Sequence, residues 1–202
     1  MPDLYPFAIG LGMVGPALLA HGTVEQQEEW LRPIASGTAV WCQMFSEPEA
    51  GSDLANVALS ARQDGEEWLI EGQKTWTSRA MWADWAICLA RTDPNQPKHK
   101  GLTMFAIPME ASGVEVRPLM QMNRDAHFSE VFISNARISD KWRIGEIGEG
   151  WRVAMTVLAH ERAGGGSRGG GDGSARGSQL PSWIADIQTL QDLSSIQRED
   201  IS

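Results

Sequence analysis

WCQMFSEPEAGSD, residues 41–53, opens as an apolar strand and ends as something else. Trp41, Cys42, Met44 and Phe45 suit a buried strand, and Ser46-Glu47-Pro48 breaks it. Pro48 has no N–H to give a ladder and holds the chain open. Gly51 lets another group approach the backbone, and Ser46 and Ser52 bring hydroxyls. A strand ending in free N–H groups and hydroxyls offers donors to an anionic or carbonyl-rich ligand. The same residues also spell a plain Pro-Gly turn between two strands. A second segment, Gly72-Gln-Lys-Thr-Trp76-Thr77-Ser78, weighs against the plain turn, because it too ends in an indole and two hydroxyls.

Outward from this stretch, about Val40 to Ile144, short runs alternate apolar and polar residues between turn signals. They fall at 56–62, 67–70, 85–91, 102–107, 114–116 and 128–133, with a polar loop over 93–100. Asp64-Gly65 marks a hairpin between the first two. Short strands at this spacing predict an antiparallel sandwich or open barrel, not βαβ units. Most of its tryptophans belong to the core, with Trp76 the exception.

Helices flank the strands, which gives an α+β fold. Residues 3–22 are apolar with helical spacing after Pro16, and Thr23-Val-Glu-Gln26 is a capping-box pattern. Pro33 should end the helix that follows or fall in its last turn. After Gly148-Glu149-Gly150 the helical period returns, with Trp151, Met155, Leu158 and Arg162 on one face. Residues 163–178 are glycine- and serine-rich and read as a linker. A last helical segment containing Trp183 and Ile184 finds no element left to pack on. The divisions are 1–38, 39–145 and 146–202.

The net charge is −9 and the pI about 4.9, with no basic patch for nucleic acid. Cys42 and Cys88 sit in apolar runs and read as buried free thiols. The four histidines are scattered, without metal-ligating spacing. With no transmembrane run and no secretory signal, a cytoplasmic protein is the expectation. GxGxxG occurs at 10–15 and at 164–169. Neither copy lies between a strand and a helix with an acid on a later strand, so neither reads as a dinucleotide site.

With WCQMFSEPEAGSD, GQKTWTS and LAHER (158–162) in that order, the chain resembles the acyl-CoA dehydrogenase family of flavoenzymes. Ala83-Asp84-Trp85, Ala90-Arg91-Thr92-Asp93 and Gly145-x-x-Gly148-x-Gly150-Trp151 also fit, so the likeness runs over roughly residues 3–165. The resemblance implies a middle β-domain with the end of one helical domain before it and the start of another after it. It implies that Gln43, Phe45, Ser46, Gly51, Ser52, Trp76, Thr77 and Ser78 hold FAD, Ser52 and Arg162 also facing the substrate. The implied reaction is α,β-dehydrogenation of fatty acyl-CoA thioesters in β-oxidation, with electrons passed to an electron-transfer flavoprotein by a homo-oligomer. Glu161, just before Arg162, matches the minority of members whose base lies on this helix. Otherwise it is a helix-end carboxylate in a surface ion pair. Serines stand at 46 and 78 where the family has threonines, residues 121–126 lack its usual Gly-x-Arg-x-Ser-x-Thr run, and Ala159 replaces a common Asp. An inactive fragment and an acyl-CoA oxidase share the same motifs.

Overall fold

The computed structural model describes residues 5–165 and 181–184. Most of the glycine-rich stretch, and the last segment beyond Ile184, lie outside the described residues. Three α-helices, α1 (Gly15–His21), α2 (Val24–Ser36) and α3 (Gly150–Gly165), cover an eight-stranded sheet. The strands are β1 (Trp41–Met44), β2 (Ser60–Asp64), β3 (Glu67–Ser78), β4 (Trp85–Arg91), β5 (Leu102–Pro108), β6 (Val114–Leu119), β7 (Phe128–Ser139) and β8 (Arg143–Ile144). No helix among the described residues is long and apolar enough to cross a membrane.

Pairing runs β6-β7-β3-β2-β4-β5-β8, with β1 attached to β4, so the sheet is open. Most pairs are antiparallel, as the spacing predicts. Two are parallel, β1 with β4 and β2 with β4, because the chain returns to the same edge of β4. The hairpin loop between β2 and β3 is Gly65-Glu66, with only Gly65 at positive φ, the type II′ pattern.

Two cores lie on opposite sides of the central strands. Ile87 and Leu89 of β4 and Met104 and Ala106 of β5 join Trp41, the helices and Val153, Ala154 and Val157 of α3. Ala86, Cys88, Ala90, Phe105 and Ile107 face the other way, toward Trp68, Ile70, Val131 and Ile138 of β3 and β7. Strands buried on both faces read as continuous apolar runs, hence the AICLA of β4. Cys42 and Cys88 are buried free thiols in this second core, where burial pushes Cys88 up to about 11 and Cys42 up as well.

Thr23 caps α2 through a complete capping box, and Pro33 lies in its last turn before Gly37 in the left-handed conformation. The first GxGxxG serves packing. Gly10 lies against Ile34 and Trp41, and a Cβ on Gly15 would meet the Trp183 ring at 2.4 Å. Trp183 is buried and its Nε1 donates to Leu11 O at 3.2 Å, within a π-helical turn over Gly10–Val14. That corrects the expectation that this segment has nothing to pack on: small glycines opened a seat for its indole.

Candidate functional site

The two motif segments meet where β1 ends. Beyond Met44 the chain leaves the β4 ladder, and Glu47 and Ala50 close a tight turn by mutual backbone bonds of 2.9 and 3.1 Å. On β3 the register with β7 shifts between Lys74 and Thr77, so Thr75 and Trp76 together oppose Glu130. This β-bulge frees the Thr75 N–H from the ladder, and it donates to Ser46 O at 2.9 Å. Trp76, at φ +56°, turns its indole outward to 62% exposure, edge-on to Phe128. Below the junction Lys74 is wholly buried and pairs with Glu47 at 2.7 Å.

Ser46 and Ser78 are half-buried, and Ser52 and Gly51 are exposed; a Cβ at Gly51 would meet nothing within 4 Å. Phe45 is core, so only its backbone can serve a ligand. Thr77 is buried, its Oγ1 without a protein partner among the described residues, and so is the Oγ of Ser129, its ladder neighbour on β7. A cavity of about 380 Å³ lined in part by Met81, Trp85, Met109 and Val116 shares no residue with either motif.

On α3 the buried face is Val153, Ala154 and Val157, while Trp151, Met155 and Leu158 are only partly covered. The helical stripe is therefore rotated from the one the sequence suggests. Glu161 lies one turn past Val157 on this buried face, and Arg162 falls outside it. Both are exposed. Gln43 Nε2, on β1, donates to Glu161 Oε2 at 3.5 Å, which brings the carboxylate to the strand that carries the first motif.

Two residues the sequence reading left without a role, Glu47 and Lys74, join the motifs. Lys74 stands between Gln73 and Thr75, so nothing in its local sequence marks it as buried. Arg91 and Asp84, noted only as landmarks, are structural. Arg91 donates to the carbonyls of Ala55, Val57 and Lys98, and Asp84 Oδ2 accepts from Val40 N at 2.8 Å.

Comparison with known proteins bears on this site. The profile described as "Acyl-CoA dehydrogenase, middle domain" matches residues 42–136. The acyl-CoA dehydrogenase FadE34 of Mycobacterium tuberculosis is 50% identical over 148 residues, 73% of this chain and 21% of that protein. A solved steroid acyl-CoA dehydrogenase, Tcur3481-Tcur3483, superposes with TM-score 0.73 at 37% identity, covering 78% of this chain and 40% of that one. A glutaryl-CoA dehydrogenase from Mycobacterium smegmatis, solved in complex with FADH2, gives TM-score 0.66 at 27% identity over 75% of this chain and 38% of its own. The chain thus spans about two fifths or less of the length of each of these three relatives.

Proposed function

The chain belongs to the acyl-CoA dehydrogenase family, and on that premise we propose that it carries the flavin-holding β-domain and the base of an enzyme that converts acyl-CoA thioesters to 2-enoyl-CoA. The observation that supports this best is the junction at Thr75 N and Ser46 O, which sets two hydroxyl-bearing strand ends side by side. The donor set fits an FAD ring edge: half-buried hydroxyls at Ser46 and Ser78, open backbone at Gly51, and the exposed Trp76 indole as an aromatic wall. Gln43, Phe45 and Thr77 would contribute through their backbone or by placing their neighbours. Ser52, exposed beside Gly51, is suited to a phosphate of the cofactor or of coenzyme A.

FAD, when bound, supplies a hydride acceptor for the substrate's β-hydrogen. Glu161 Oε2 takes the α-proton, and Gln43 orients that carboxylate. The α C–H is only mildly acidic, so hydrogen bonds to the thioester carbonyl must carry part of the developing charge. Arg162, the next residue along α3, would contact the substrate. Electrons then pass to an electron-transfer flavoprotein, and the working enzyme is an oligomer in the cytoplasm.

The test is titration with FAD, then with straight-chain and steroid-bearing acyl-CoA thioesters, watching the flavin's long-wavelength band. Bleaching by substrate is expected, slowed by a factor of about 100 or more in Glu161→Gln with flavin uptake unchanged. A protein that stays colourless with FAD would be a non-enzymatic module. Hydrogen peroxide release with substrate would mark an oxidase.

A further inference from the structure

We infer that the buried Lys74–Glu47 pair is a positioning pair, setting the separation of the two strand ends that flank the flavin slot. This rests on the flavin reading above.

The pair fills a gap in the sheet. β4 carries β1 on one edge as far as Cys88 and meets β2 only at Arg91. Residues 89 and 91 point to the same edge, since ladder groups alternate along a strand. Arg91 N bonds Leu59 O there at 2.7 Å, but the Leu89 carbonyl falls where neither neighbour reaches. Lys74 Nζ donates to it at 2.7 Å. The same ammonium donates to Phe45 O at 3.0 Å and Glu47 Oε1 at 2.7 Å, so each of its three protons has an acceptor. Glu47 in turn accepts from Leu59 N at 3.0 Å and Ala58 N at 2.6 Å.

One cation and one anion therefore fasten the end of β1, the middle of β3, the open carbonyl of β4 and the lead-in to β2. Ser46 is the residue before Glu47, and Trp76 follows Lys74 by two. Apolar side chains would fill this volume without fixing a distance. Directed bonds at both ends fix it, and with it the reach from Ser46 to Ser78.

The test uses native-state hydrogen exchange and FAD titration on the same protein. In the unaltered chain the amides of Ala58, Leu59 and Thr75 are expected to exchange only through global unfolding, as slowly as the β4–β5 ladder. Faster exchange by local opening would overturn the inference without any variant. Glu47→Asp keeps the charge and shortens the arm by one methylene. It should raise Thr75 exchange and weaken FAD binding, each by about tenfold or more, while the β4–β5 amides stay protected. Wild-type Thr75 exchange and wild-type FAD affinity in a folded Glu47→Asp would make the pair mere core filling and refute the proposal. Should the unaltered protein take up no FAD, the flavin reading falls, and Thr75 exchange alone decides whether the pair holds the strand ends.

Discussion

The Lys74–Glu47 pair lies just past the end of the short strand β1 and the Gln43–Glu161 contact starts on it, in opposite surroundings. The first is sealed in the interior, with acceptors for every ammonium proton and amide donors for both carboxylate oxygens. The second is a single 3.5 Å bond from half-buried Gln43 to exposed Glu161. The contrast separates two jobs. On the proposed reading, the interior pair holds the strand ends that flank the flavin. For Glu161 to serve as the proposed base, an apolar wall would have to be brought against it, by an acyl group or by further protein.

The largest effect expected from breaking that contrast is on the sealed side. Lys74→Met leaves a buried carboxylate and two carbonyls without their cation, and should cost about 3–5 kcal/mol in denaturant unfolding. Gly15→Ala sharpens the comparison at another interior seat. A methyl there meets the Trp183 ring, and displacing it should cost about 1–3 kcal/mol, with Trp183 fluorescence shifting to the red.

His21 is intermediate. Its Nε2 meets Thr156 Oγ1 at 2.8 Å between α1 and α3, and burial, with Arg152 nearby, lowers its pKa from 6.5. A lowered folded-state value means that the unfolded chain binds the proton more readily. This contribution to stability is therefore full above about pH 6.5 and declines as pH falls below it. Tm against pH should show the decline in the unaltered chain and not in His21→Gln. At the rim, Glu161→Gln should leave unfolding within about 0.5 kcal/mol, while abolishing most substrate-driven bleaching. A large loss of stability there would make Glu161 structural and end the contrast.

What the sequence disclosed depended on how far each interaction reaches. The α2 cap was legible because Thr23 and Gln26 are three residues apart and the pattern has one meaning. The strands of the middle region were legible from alternation and turns. Lys74 and Glu47 were not, because they meet across 27 positions through a gap that only the pairing order creates. The stripe on α3 was read one face away, since a helix packed on one side and partly covered on the next offers two apolar faces. Gly10 and Gly15 were rejected as a cofactor motif, but their use as flat ground for Trp41 and Trp183 required the fold. The proposed site residues rest mainly on the family resemblance. The bulge that aims Trp76 had no local signature.

Trp76 holds a left-handed backbone that a bulky residue adopts only at a cost of about 1–3 kcal/mol, and its indole stands mostly in water. A glycine there would suit the bare scaffold better. A breeding scheme that rewarded only heat resistance would discard this tryptophan early, so its persistence through such a screen run with FAD present would report a demand from the ligand and not from the chain.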